Sequence, residues 1–218
     1  MRDGLYVYGR LPSNIQHLSA KIKMELIIVR HGKTDSGIDP GLAKTGHEQA
    51  KVVAKRVASE RVDAAYCSPM RRARETAAPY VERSNLPLII LDGLAEIDKN
   101  ADQYISPALM KTDPELFKRF LTNPYDVCDI SPEEFTADVT GAFAQIAQAH
   151  PGQTVAVFAH AIVINVYLAD ILEKGSHFFG MVPSNCSITR VKVSKAGRRS
   201  IESFNDTGHF LPLHSHNP

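Results

Sequence analysis

A chain of 218 residues with 44% hydrophobic content is long enough to bury a full core and is near the size of one large domain. Twenty-five Lys and Arg against 24 Asp and Glu leave a net charge of +1, which excludes a global basic field for nucleic acid or an anionic membrane and makes any anion recognition local. Three cysteines (Cys67, Cys128, Cys186) with no CxxC spacing argue against a disulfide framework or a zinc knuckle, and point to small core residues in a reducing, cytoplasmic setting.

No apolar run approaches the roughly 18 residues that span a bilayer, so a soluble protein is expected. Residues 1–23 lack the unbroken apolar segment of a secretory signal and read as an extension ahead of a domain covering 24–205; Met24 stands directly before the first strong strand. That strand, Glu25 to Val29, ends in Arg30, His31 and Gly32. A loop with three glycines runs to Gly41. Thr45 with Glu48 reads as a capping box for a helix whose apolar face is Ala50, Val53, Ala54 and Val57. "VDAAYCS" is the second strand. Ser68 followed by Pro69 reads as the N-cap and first turn of a helix through "PMRRARETAAPYVER". "LPLIILD" is the third strand, ending near Asp92.

Between about 97 and 134 turn signals surround one short amphipathic piece (Leu116, Phe117, Phe120, Leu121), which marks an insertion. Ser131 and Glu134 form a second capping box, launching a helix with Phe135, Val139, Ala142, Phe143 and Ile146 on its stripe. "TVAVFAH" is the fourth strand, "IVINVYLADIL" a helix, and "CSITRVKV" and "RSIESFN" are two β segments that close the sheet as an antiparallel edge. The tail from 206 to 218, with His209, His214 and His216, reads as a frayed terminus. Strands alternating with helices predict a doubly wound α/β sheet.

In such sheets the ligand site lies off the carboxyl ends of the parallel strands. Arg30 and His31 follow strand one, Ser68 to Arg72 strand two, Glu96 strand three and His160 strand four. A lone histidine is more often a satisfied surface or core residue than a catalyst. Four strand ends bringing two arginines, two histidines and a carboxylate to one rim make coincidence a poor account. The residue types suit phosphoryl transfer: a neutral imidazole attacks phosphorus, guanidinium groups pair with phosphate oxygens, and a carboxylic acid protonates a departing alkoxide.

The ordered set "RHGKT", "LAKTGHEQA", "SPMRRARETA", "LAEID" and "FAHAIVI" resembles the histidine phosphatase superfamily, also called phosphoglycerate mutase-like, over Met24 to about Arg190. The resemblance implies a three-layer α/β/α sandwich and catalysis through a phosphohistidine without metal or cofactor. It makes His31 the nucleophile, Arg30 and Arg72 phosphate ligands, His160 a second ligand of the transferring group, Glu96 the proton donor, and Ala161 a backbone N–H donor in place of the family's frequent glycine. Gly32 is expected to let the backbone turn sharply. Arg71 and Arg74, rivals of Arg72, are expected to reach solvent or Glu75; Asp92 and Asp98 are rivals of Glu96. His47, His150 and His177 are expected to have no chemical role.

The chain lacks the family's Trp-Asn pair and Gly-Arg-x-Gln loop after the first motif, and "IDKNADQ" replaces the common run after Glu96. The leading expectation is a phosphomonoesterase acting on a small phosphate ester. A mutase of the same family, which shields its phosphoenzyme from water, and a non-catalytic phospholigand adaptor are the alternatives. The insertion carries four basic against eight acidic residues, net −4, which disfavours bisphosphates if it covers the pocket. Its Tyr104, Ile105, Phe117, Phe120 and Tyr125 either contact a leaving group or pin the insertion to the domain.

Overall fold

Strand β1 (Ile22–Arg30) divides its buried side chains between two cores: Leu26 and Ile28 face one, Ile27 and Val29 the other. A strand apolar on both faces needs cover on both. A computed structural model, which describes residues 22–101, 104, 112–175 and 180–211, supplies it. The described helices are α1 (Lys44–Ala58), α2 (Arg71–Ser84), α3 (Pro114–Thr122), α4 (Pro124–Val127), α5 (Pro132–Ala149) and α6 (Ala161–Ile171). Val53, Ala54 and Val57 of α1 and Ala73, Ala77 and Tyr80 of α2 cover the Ile27 face; Phe135, Val139, Phe143 and Ile146 of α5 and Val163, Ile164 and Tyr167 of α6 cover the Leu26 face. The result is the expected α/β/α layering.

The remaining strands are β2 (Ala64–Cys67), β3 (Leu88–Ile90), β4 (Thr154–Ala159), β5 (Ile188–Ser194) and β6 (Arg199–Asp206). They form a six-stranded sheet in the order β3-β2-β4-β1-β5-β6. The pairs β1–β4, β2–β4 and β2–β3 are parallel; β1–β5 and β5–β6 are antiparallel, the expected edge. Because β5 runs against β1, the loop entering β5 arrives at the carboxyl end of β1.

Several local expectations are corrected. β1 begins at Ile22, paired with Ser194, so the sheet takes in two residues assigned above to the leader. Thr45 is not an N-cap: Ala43 holds that position without a side-chain bond, and its N–H is satisfied by the Lys33 carbonyl at 2.9 Å. Nor does Ser68 cap α2. That helix starts at Arg71, whose N–H donates to the Asp39 carboxylate at 3.1 and 3.2 Å, which leaves the Ser68 hydroxyl free for other partners. Ser131 does cap α5, accepting from Glu134 N–H at 3.2 Å, but its hydroxyl donates to Glu133, so the reciprocal half of the box is replaced. His209 is not frayed: it sits in a 3₁₀ turn, Gly208–Phe210, with Nε2 3.0 Å from the Cys186 carbonyl oxygen.

In the insertion, α3 is capped by Asp113, yet none of its residues is fully buried; Phe120 alone of its aromatics packs on the core, while Phe117 is exposed. Tyr125 of α4 is buried edge-on against Phe135 and pins the segment to the domain. Residues 1–21, Ile105, His177, His214 and His216 lie outside the described residues.

Candidate active site

The carboxyl ends of the parallel strands bring the expected residues together. The His31 and His160 rings lie 5.1 Å apart, centroid to centroid, and Arg72 Nε donates to His160 Nδ1 at 3.3 Å. Glu96 Oε2 accepts from Ile162 N–H at 3.0 Å, beside Ala161, the first residue of α6; Oε1 accepts from Ile97 N–H at 3.0 Å. His31, Arg72, Glu96 and His160 are all buried. Arg71 instead pairs with Glu75 at 2.7 Å, as expected of it. Arg74 is exposed. Asp92 lies in a 3₁₀ turn.

The partners fix two tautomers. His31 Nδ1 is 2.8 Å from the Gly32 carbonyl oxygen, which can only accept, so Nδ1 carries the proton and Nε2 keeps its lone pair. His160 Nδ1 accepts from Arg72, so its proton is on Nε2, which donates to Ser68 Oγ at 2.7 Å. The Ser68 hydroxyl also accepts from Met70 N–H at 3.2 Å.

Burial, reinforced by the Arg30 and Arg72 guanidinium groups, holds the His31 imidazole well below its ordinary pKa; the Gly32 carbonyl opposes this and loses. Burial, then Arg72, His31 and Arg30, do the same to His160. Glu96 moves the other way. Burial and the neighbouring Asp98 charge push its carboxyl up to about 7, against the Ile162 and Ile97 N–H groups and Arg72. The site therefore offers neutral imidazoles and a carboxyl that still holds a proton near neutrality.

Two guanidinium donors, Arg30 Nε and Arg72 Nη1, are buried without a hydrogen-bond partner. Orphaned cationic donors of this kind are what an anion would satisfy. Among the described residues no group of three or more His, Cys, Asp or Glu side chains is placed to hold a metal ion, and no helix is long and apolar enough to cross a membrane.

Residues 26–207 match the sequence profile of the histidine phosphatase superfamily, branch 1. The chain belongs to that superfamily. Phosphoserine phosphatase 1 of Hydrogenobacter thermophilus is similar to this histidine phosphatase at 29% identity over 199 residues, 85% of this chain and 94% of the relative. Two solved structures share the fold. One is a phosphoserine phosphatase of Entamoeba histolytica in complex with 3-phosphoglyceric acid, with TM-score 0.70 and 23% identity, covering 86% of this chain and 100% of that one. The other is a mycobacterial glucosyl-3-phosphoglycerate phosphatase, with TM-score 0.69 and 19% identity, covering 84% and 99%.

Sequence reasoning missed much of what seats this histidine phosphatase's His31. The loop entering β5 wraps the end of β1: Arg30 Nη1 donates to the Pro183 carbonyl, Asn185 Nδ2 to the His31 carbonyl at 3.0 Å, and Cys186 N–H to the Arg30 carbonyl at 3.0 Å. Cys186 adopts φ 54° to do so, and a cysteine gives no turn signal. Thr76 Oγ1 accepts from Gly32 N–H at 3.0 Å and donates to the Arg72 carbonyl at 2.7 Å; its place one turn after Arg72, on the buried face of α2, was the available clue. Gly32 itself is needed for close approach, not for a left-handed turn, since a Cβ there would meet the Gly46 carbonyl oxygen at 2.8 Å. Tyr104 stands with its ring 4.6 Å from the Arg72 guanidinium carbon.

Proposed function

We propose that this chain hydrolyses a small phosphate monoester in two steps through a phosphohistidine on His31. Membership of the superfamily and the phosphatase names of its relatives make it a phosphoric monoester hydrolase. What carries the finer reading is the His31 Nε2 lone pair, left free by the Nδ1 bond, in a site with two guanidinium donors that have no hydrogen-bond partner.

In the first step His31 Nε2 attacks phosphorus and the ester P–O bond breaks, while Glu96 gives its proton to the leaving oxygen. In the second, the Glu96 carboxylate takes a proton from water, the water oxygen attacks phosphorus, and the N–P bond breaks to release phosphate. Arg30 and Arg72 neutralise the phosphoryl oxygens, and the Ala161 N–H adds a donor at the positive end of α6. For His160 to donate from Nδ1 as well it must become imidazolium, a state that burial disfavours and a bound phosphate dianion favours.

The acidic insertion and the ring of Tyr104 over Arg72 support a monophosphate with a neutral, partly apolar body over a bisphosphate. The three cysteines are buried and free, which fits a reducing, cytoplasmic compartment. The test is turnover of a phosphate-ester panel with EDTA present, together with acid-labile labelling of His31 after a rapid quench. Label and turnover both vanish in His31→Ala if the reading holds; substantial turnover by that variant overturns it.

A further inference from the structure

Asp98 lies two residues beyond Glu96, is equally buried, and places Oδ1 2.7 Å from Arg72 Nη2. The planar guanidinium of Arg72 is thereby fixed along two directions, Nη2 to Asp98 and Nε to His160, and Nη1 is left as the one nitrogen without a hydrogen bond. A planar fork pinned at two nitrogens has its third aimed for it. The Asp39 carboxylate forms an ion pair with Nη1 at 3.7 Å, too long for a hydrogen bond. We propose that Asp98 is a positioning residue for both halves of the reaction: it aims Arg72 Nη1 at the transferring phosphoryl group and holds that guanidinium on itself instead of on the neighbouring acid, Glu96.

This inference rests on the reading of Glu96 as the acid. The charged and titratable groups around Glu96 come from several elements: Arg72 from α2, Arg30 from β1, Tyr125 and Cys128 from the insertion, and Asp98 from its own turn; Arg72 and Asp98 are the charges that shift its carboxyl. Arg72 favours the carboxylate; Asp98 is the anion that favours the acid. Asp98 in turn draws one arginine's charge onto itself. Removing it both deletes a repulsion and releases Arg72 toward Glu96, so the two effects act in the same direction. Burial pushes the Asp98 pKa up, and the ion pair with Arg72 opposes that shift.

The experiment follows the Glu96 carboxyl directly in the full chain by carbon-13 NMR with labelled glutamate, the signal assigned by its loss in Glu96→Gln. The Glu96 titration midpoint in Asp98→Asn is expected to move at least one pH unit lower than in the unmodified chain. Affinity for inorganic phosphate is expected to fall about tenfold, because Arg72 loses its aim. Asp98→Glu keeps the charge but displaces it by one methylene; it is expected to hold the Glu96 midpoint near the original value while still weakening phosphate. Thermal melting identifies folded variants. If Asp98→Asn does not fold, the inference is decided on Asp98→Glu: phosphate affinity unchanged there overturns it. In folded Asp98→Asn, an unmoved midpoint overturns it. Because titration and phosphate binding are read without turnover, these outcomes are separate from the His31→Ala test of the function.

Discussion

Arg72 Nε donates to His160 Nδ1 at 3.3 Å, so residues that follow two different strands, β2 and β4, hold each other's orientation before any ligand arrives. A lysine cannot reproduce this. It lacks the fork that bonds His160 and Asp98 at once while leaving a third donor free. Arg72→Lys is expected to lower kcat/KM by a factor of ~100, the scale of a lost oxyanion donor. Steady-state kinetics beside a melting curve check it; a variant of normal activity shows that the fork is not used.

Glu96 should matter in proportion to how poor the leaving group is. Activity of Glu96→Gln on alkyl phosphates is expected to collapse, whereas p-nitrophenyl phosphate, whose phenolate departs with little help, should suffer far less in the phosphorylation step. In the unmodified chain kcat/KM for alkyl phosphates should decline as pH rises through about 7, where Glu96 gives up its proton. Single-turnover rates on both substrates across pH provide the comparison, and equal losses on the two would point to a different acid.

Stability should respond to pH through the same groups. His31 and His160 titrate near 6.5 when unfolded and well below it when folded, so their contribution is complete above that pH and is lost as pH falls through the folded values. Glu96 works oppositely: its folded value of about 7 exceeds its unfolded one, so its contribution is present at low pH and is lost as pH rises through 7. Between about pH 6.5 and 5 the two oppose each other. Urea midpoints of Glu96→Gln should therefore drop more steeply with acid than those of the parent chain, and a shallower drop contradicts the assignment.

Gly46 is expected to be intolerant of any side chain. A Cβ there would sit 2.0 Å from the Lys33 carbonyl oxygen, backbone against backbone, and the displaced segment leads directly to His31 through Gly32. Gly46→Ala should cost about 3 kcal/mol of stability, the upper end of ordinary overpacking, and lower kcat as well. Denaturant unfolding and activity measured on the same preparation test both.

The layers were legible in the sequence because each core strand and helix states its own period. Val53, Ala54 and Val57, or Phe135, Val139 and Phe143, name their buried face without help from the rest of the chain. The strand-end residues were legible because charged groups stand out where an apolar run stops. Helix starts were not. Thr45 and Ser68 carry the right chemistry for caps, but α1 starts from Ala43 without a side-chain cap, its N–H bonded to the Lys33 carbonyl, and the first N–H of α2 goes to the distant Asp39 carboxylate. The supports of His31 were equally hidden, since Thr76, Asn185 and Cys186 act through single bonds across long separations and leave no periodic trace. His209 was misread for the same reason.

The antiparallel return of β5 to β1 has a consequence for when the site comes into being. Arg30 finds its carbonyl partner on Pro183, 153 positions later, and the His31 backbone is held by Asn185 and Cys186. Contacts of such separation carry a loop-closure cost that local contacts do not, and they belong to the slow part of folding. A chain emerging from synthesis thus owns His31, Arg72, Glu96 and His160 well before it owns the seat that aims the nucleophile. A fragment ending before Pro183 carries the whole set of reacting side chains without the loop that puts His31 in place.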